Sequence, residues 1–325
     1  MKILLTDCAT VRFKGDISLD ILKNFGDVTE YELISREELL DIIPDYDAVI
    51  CNKTVIDKPV MEKAKKLKYI GLFATGYNNI DISTAAEKGI TVCNAGSYST
   101  NAVAQQVFAY ILSHYTKVSV YDNFVKKGGW KQSAVFSPIV FPTDEIYGKT
   151  IGIVGYGSIG KAVEKAAEAF GIRVLVYTRT KRPGKKFVSF DELLSGSDII
   201  TMHCPLNKES EKLMNKESFA KCKDGAFFIN TSRGGVVDEK ALFDALETEK
   251  LSGAAIDVLE TEPMLESCVL INAKNITITP HTAWAPLTTR ERLIGIVADN
   301  LKGFIEGNVQ NKIVYKKPEV STSCF

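Results

Sequence analysis

Two α/β domains, each a parallel sheet covered on both faces by helices, are what this sequence predicts. Three observations predict it. Short apolar runs alternate with amphipathic stretches along nearly the whole chain. A G-x-G-x-x-G at Gly155, Gly157 and Gly160 lies between one such run and one such stretch. A chain of 325 residues is long enough for two cores.

The elements follow in order. Met1 to Asp7 is apolar with little alternation, as a strand buried on both faces should be. Helical patterns cover Ile17 to Phe25 and Arg36 to Ile43. Ala48 to Cys51 reads as a second strand and Val60 to Leu67 as a lysine-rich amphipathic helix. Tyr69 to Ala74 is a third strand and runs into the turn Thr75-Gly76-Tyr77-Asn78-Asn79. Ile80 to Lys88 is helical, and Gly89 to Asn94 is a fourth strand. This first unit carries no phosphate fingerprint of its own.

Asn101 to Lys127 has one long helical pattern, with Val103, Val107 and Ile111 on its apolar side. Ile151 to Val154 is the strand before the glycines, and a helix follows with Ala162, Val163, Ala166, Ala167 and Phe170 on one face. Gly171 breaks that helix, and Ile172 to Tyr177 is the next strand. In such a unit the first glycine allows the tight turn, the second lets a pyrophosphate approach, and the third lets helix sit on strand. The helix start at Ser158 and Ile159 turns backbone N–H groups and a positive dipole end toward phosphate. A dinucleotide site is therefore expected here. Further strands are Asp198 to Met202, Ala226 to Asn230, Gly253 to Val258 and Ile276 to Thr279. Asp238 to Lys250 and Leu287 to Gly307 are helices, and the tail Asn308 to Phe325 is polar and partly basic. The expected domains are 1–99 with 288–325, and 100–287, hinged at the helices near 101 and 287.

Composition excludes several classes. Forty basic residues balance forty acidic ones, so no bulk field attracts nucleic acid or an anionic membrane. The seven cysteines are scattered without a C-x-x-C, and only three histidines occur, so neither a disulfide framework nor a metal site is indicated. The opening MKILLTDCAT is too short and lightly apolar for a signal peptide, and no run spans a bilayer. The expected compartment is the cytoplasm.

An NAD site usually carries an acid about 20 positions past the glycines, on the ribose 2′-hydroxyl. Here that position is Thr178, followed by Arg179, Thr180, Lys181 and Arg182, with no acid before Asp191. A 2′-phosphate suits these donors, so NADP(H) is the expected cofactor, with NAD(H) as the second possibility. The alternative for the loop is a solvated basic turn.

Functional groups in open α/β sheets gather past the carboxyl ends of strands. Three such ends carry Arg233, Glu262 and His281. Singly, Arg233 fits a surface ion, Glu262 a helix-start acid and His281 a satisfied core residue. Together they suit reduction of a 2-oxo acid. Hydride transfer leaves negative charge on the carbonyl oxygen, and a histidine titrates near working pH and can deliver the proton. A carboxylate beside it fixes the tautomer and favours imidazolium, and a guanidinium holds the substrate carboxylate.

The segments ATGYNNID (74–81), GYGSIG (155–160), HCPL (203–206), NTSRGGVVDEKAL (230–242), AAIDVLETEP (254–263) and TPHTAW (279–284) resemble the D-isomer-specific 2-hydroxyacid dehydrogenase family nearly end to end. That resemblance implies a Rossmann cofactor domain, a flavodoxin-like substrate domain built from both chain ends, and a homodimer formed through the cofactor domains. It makes Arg233 the substrate anchor, Glu262 the partner carboxylate and His281 the proton donor. It gives the substrate Asn52, the Thr75-Gly76 turn and Trp284. Val103, Thr231 and Ser232 would line the cofactor, His203, Cys204 and Pro205 would border it, and Asp257 would face the nicotinamide carboxamide. SYSTNAVAQQ and HTAWAP look most like glycerate dehydrogenases, also called hydroxypyruvate or glyoxylate reductases, although Gln106 and Pro286 depart from that branch. D-lactate or phosphoglycerate dehydrogenases, and dinucleotide-sensing corepressors on the same fold, are the alternatives.

Overall fold

The computed structural model describes residues 1–180 and 186–313. Contacts divide the chain into a terminal unit, Met1–Ser99 with the chain from Ala285 onward, and a central unit, Thr100–Trp284. The second crossing falls between Trp284 and Ala285, ahead of the expected boundary between 287 and 288.

In the terminal unit β1 (Lys2–Leu5) and β2 (Asp27–Glu30) precede α1 (Arg36–Ile42). Then come β3 (Ala48–Cys51), α2 (Lys58–Lys63), β4 (Tyr69–Leu72), α3 (Ile82–Glu87) and β5 (Thr91–Cys93). The five strands are parallel in the order β2-β1-β3-β4-β5. The chain reverses its winding direction between β1 and β3, where open sheets leave a crevice beyond their carboxyl ends. β3 and β4 are buried throughout, matching their unbroken apolar runs. β2 is a strand the sequence reading does not foresee. Its residues, DVTE, are polar because it is an edge strand with one neighbour and a wet face. The expected helix over Ile17 to Phe25 shrinks to a 3-10 segment at Asp20–Phe25. Side-chain caps start the helices: Ser35 accepts the N–H of Glu38, Asp57 that of Val60 and Asp81 that of Thr84.

The central unit opens with α4 (Thr100–Thr116) and α5 (Val118–Lys126), not the single helix expected over 101–127. Lys117 sits between them at φ +52°, and β-branched Thr116, Val118 and Val120 crowd the junction. Alternation follows through β6 (Thr150–Val154), α6 (Ser158–Ala169), β7 (Arg173–Tyr177), α7 (Phe190–Gly196), β8 (Ile199–Met202) and α8 (Lys216–Lys221). It continues through β9 (Ala226–Asn230), α9 (Glu239–Glu247), β10 (Leu251–Ile256) and β11 (Ile276–Ile278). The sheet order is β11-β10-β9-β8-β6-β7, all parallel. Period-two alternation on β6 sends Ile151 and Ile153 to one core, with Val107 and Ile111 of α4 and Val163 of α6. Val154 goes to the other core, with Leu193, Leu194 and Leu242. Both faces are thus covered, as expected of a doubly wound sheet. The last element, α10 (Leu287–Ile305), returns to the terminal unit and lays Phe304 against Tyr69 of β4, with ring centroids 4.9 Å apart.

Candidate active site

The glycine turn leaves β6 at the point where the winding of the central sheet reverses, between β6 and β8. Each glycine has a separate reason. Gly155 stands at φ +99°, and a Cβ there would lie 2.6 Å from the backbone of His203 and Cys204. A Cβ on Gly160 would lie 2.4 Å from the Gly155 carbonyl, so only glycine lets α6 close on its own turn. At Gly157 a Cβ would meet nothing within 4 Å. That position is the cap of α6 and has no side chain in the space that a pyrophosphate needs. Ser158, Ile159 and Gly160 form the first turn of α6, where N–H groups have no intrahelical acceptor.

A cleft of about 310 Å³ opens beyond these strand ends, lined by Gly155, Gly157, Thr178, Arg179, His203, Cys204 and Pro205 among others. Arg179 forms an ion pair with Glu209, a residue of the loop after β8. Lys181 and Arg182 lie outside the described residues. Burial pushes the His203 imidazole down to about 3, so it stays neutral at working pH. Its Nε2 meets the Thr201 hydroxyl at 2.9 Å, while Nδ1 is buried and has no partner among the described residues. Thr231, at the end of β9, has an equally orphaned hydroxyl. Buried polar atoms are nearly always satisfied. Two orphans at neighbouring strand ends, and a helix start capped by a glycine, fit a dinucleotide.

Beyond β9 the side chain of Asn230 stitches the next loop. It accepts from the backbone N–H (3.0 Å) and hydroxyl (2.9 Å) of Ser232, and its amide donates to the carbonyl of Arg233 at 3.0 Å. Arg233 is half-buried, and its guanidinium donates to the Ser232 carbonyl at 2.7 Å. A Cβ on Gly234 would lie 1.9 Å from the backbone of Leu259, so this loop packs directly on the loop after β10.

That second loop brings Glu262 to His281. Glu262 Oε2 lies 2.7 Å from His281 Nδ1, and Oε1 accepts the N–H of Leu259 at 3.0 Å. The carboxylate is held at both oxygens, and the two side chains are about one-third exposed. His281 itself has φ +54°, a left-handed conformation that costs a non-glycine residue about 1–2 kcal/mol. Asp257 holds it there. Its carbonyl accepts the N–H of His281 at 2.7 Å, and its carboxylate takes the N–H of Thr282 (2.9 Å) and Ala283 (2.8 Å) and the hydroxyl of Thr279. Asp257, which the resemblance turns toward the nicotinamide carboxamide, also holds the histidine turn through its carboxylate. Arg233, Glu262 and His281 thus lie on adjoining strand-end loops of one unit. Val103 is buried in the first turn of α4, and Trp284 is half-buried just past the histidine turn.

In the terminal unit, Asn52 follows β3 and is buried. Asp7 accepts the N–H groups of Asn52, Lys53 and Thr54 at 2.6–3.1 Å. Thr75 and Gly76 leave β4 in a turn tied down by Asn94, whose amide donates to the Thr75 carbonyl at 2.7 Å. Asp7, Asn230 and Glu209 are given no role in the sequence reading. For Asp7 a signal existed: an acid closing an apolar strand run, as Asp257 does in AAIDV. For Glu209 there was none, since it comes to Arg179 from 30 positions away.

The sequence profile of the D-isomer specific 2-hydroxyacid dehydrogenase NAD-binding domain matches residues 108–283. The chain is 40% identical over 323 residues to a hydroxypyruvate reductase of Blautia hydrogenotrophica, covering 96% of this chain and 100% of that one. It belongs to the D-isomer-specific 2-hydroxyacid dehydrogenase family. A glyoxylate reductase of Thermococcus litoralis is 39% identical over 289 residues, covering 86% of this chain and 87% of that one. The solved structure of an acyclic imino acid reductase in complex with NADPH and D-Arg superposes with a TM-score of 0.85. It is 30% identical and covers 97% of this chain and 100% of that one. As a D-2-hydroxyacid dehydrogenase the protein is an oxidoreductase with an NAD-binding Rossmann domain, the family that GYGSIG and TPHTAW point to. No helix among the described residues is long and apolar enough to cross a membrane.

Proposed function

We propose that the protein reduces a small 2-oxo acid, hydroxypyruvate or glyoxylate first, to the D-2-hydroxy acid. The observation that carries this reading is the 2.7 Å contact between His281 Nδ1 and Glu262 Oε2, in the unit that also holds the glycine turn. Hydroxypyruvate and glyoxylate reductases among the relatives support the substrate class. NAD(P)H, when bound, supplies the hydride. Negative charge then grows on the substrate's carbonyl oxygen. Glu262 takes the Nδ1–H of His281 and fixes the ring's orientation, so that the Nε2–H of the imidazolium faces that oxygen and protonates it. Arg233 anchors the substrate carboxylate and polarises the carbonyl. The family resemblance assigns Asn52, Thr75, Gly76 and Trp284 to the substrate as well. NADP(H) is the favoured cofactor, supported by the missing acid after β7, by Arg179 at the cleft and by NADPH in a structural relative.

General acid catalysis is worth about 10²–10⁴-fold, so His281→Asn lowers kcat by about that factor with NADPH binding intact. Unchanged turnover in stopped-flow assays would remove the mechanism. Intact dinucleotide binding without turnover of any 2-oxo acid by the wild-type protein would turn the reading to a dinucleotide-sensing binding protein. A homodimer belongs to the same proposal. Val118, Trp130, Phe136, Ile139 and Tyr147 are large apolar side chains left exposed between α4 and β6, more than a lone surface normally carries in one segment. A single-chain mass in sedimentation at micromolar concentration contradicts it.

A further inference from the structure

The cleft carries both signs of charge where the adenosine ribose of a dinucleotide is expected. Arg179 comes from the end of β7 and Glu209 from the loop after β8; both line the cleft, and they are ion-paired. The Glu209 loop is built rather than loose. The side-chain oxygen of Asn207 accepts the N–H of Glu209 (3.0 Å) and of Ser210 (3.1 Å), and the Ser210 hydroxyl donates to the Pro205 carbonyl at 2.6 Å. An acid missing from the usual place after β7 is thus supplied from the loop after β8, on the other side of β6.

We propose that Glu209 determines cofactor specificity, by accepting the ribose 2′-hydroxyl of NAD(H) and by competing with the 2′-phosphate of NADP(H) for Arg179. The inference rests on the reading that Arg179 serves the 2′-phosphate. A carboxylate accepts from a hydroxyl, whereas beside a phosphate it adds like-charge repulsion and occupies the guanidinium that the phosphate needs. An exposed ion pair is worth little in water, so an incoming phosphate can displace it. The protein therefore uses both cofactors, with its NADP(H) preference held down by its own acid.

Both side chains are about two-thirds exposed, so Glu209→Gln and Arg179→Ala leave the fold intact. The test measures Kd for NADP⁺, NAD⁺ and adenosine 2′,5′-bisphosphate by calorimetry at low salt, with kcat/KM for NADPH and NADH beside it. Glu209→Gln is expected to raise the NADPH to NADH ratio about tenfold, tightening the bisphosphate and weakening NAD⁺, since a charge-assisted bond is worth about that factor. Arg179→Ala lowers the ratio by a similar factor. A ratio unchanged or lowered in Glu209→Gln, with Arg179→Ala behaving as stated, overturns the role of Glu209 alone. A ratio unmoved by Arg179→Ala overturns the NADP(H) reading beneath it.

Discussion

Each unit buries one carboxylate just past an inner strand, and in both units that acid grips the loop leaving the neighbouring strand. Asp7 follows β1 and gathers three consecutive N–H groups from the loop after β3, together with the Thr54 hydroxyl at 3.2 Å. Asp257 follows β10 and gathers two N–H groups and a hydroxyl from the loop after β11. Both are almost fully buried, at 3% and 1% exposure. The physical account is shared. A buried carboxylate is costly unless hydrogen-bonded, and consecutive N–H groups are the densest donors a loop can offer. The difference lies in what is held. Around Asp7 the loop is unstrained, and the acid only fixes its shape. Around Asp257 the loop contains a histidine at φ +54°, so the acid also offsets a backbone cost.

If that comparison is right, the two acids fail in different ways. Asparagine keeps one acceptor oxygen and sets an N–H₂ against an N–H, leaving buried donors unpaired at about 1–3 kcal/mol each. In Asp257→Asn the strained turn relaxes and His281 leaves its place, and a displacement of about 1 Å costs about 10²-fold. The expected outcome is a kcat about a hundredfold lower, the NADPH Kd within about threefold of wild type and a lowered Tm. Steady-state kinetics and calorimetry check it. A kcat within threefold of wild type would break the comparison, because the turn would then hold itself.

What the sequence made legible follows the same division. The glycine turn, the strand ends and the three polar residues past them could be read because apolar strands end abruptly and the chemistry follows at once. GAFFINTSRG and ITITPHTAW show this directly. β2 was not readable, because an edge strand needs no apolar face and DVTE has none. The break at Lys117 was hidden by an apolar pattern that runs on past it into α5. Side-chain tasks set by distant partners were least visible. Asp257 reads as a cofactor contact by resemblance, and only coordinates show that its oxygens also take donors from Thr279, Thr282 and Ala283. Glu209 reads as a loop acid until the fold brings Arg179 beside it. Local patterning encodes elements; pairings between loops belong to the topology.

The smaller effect belongs to Asp7. Its loop begins with Asn52, whose amide donates to the Thr10 hydroxyl at 3.1 Å, and is tied on its far side by the Asn79 amide on the Thr54 carbonyl at 2.8 Å. Asp7→Asn weakens the central grip while these two ties remain, so the loop shifts rather than unravels. With Asn52 serving the substrate, as proposed, binding suffers in ground state and transition state alike. KM for the 2-oxo acid should rise about tenfold, with kcat within about threefold, the signature of lost uniform binding. NADPH affinity should stay where it is, since the glycine turn belongs to the other unit. A general loss of folded protein would lower apparent kcat and leave KM alone, so the split between the two constants separates a positioning role from a structural one. Asn52→Ala, which removes the amide but not the Asp7 clamp, should raise KM in the same direction. A fall in kcat at constant KM in Asp7→Asn, with Tm unchanged, would mean that this carboxylate acts on chemistry after all, and the contrast with Asp257 would be gone.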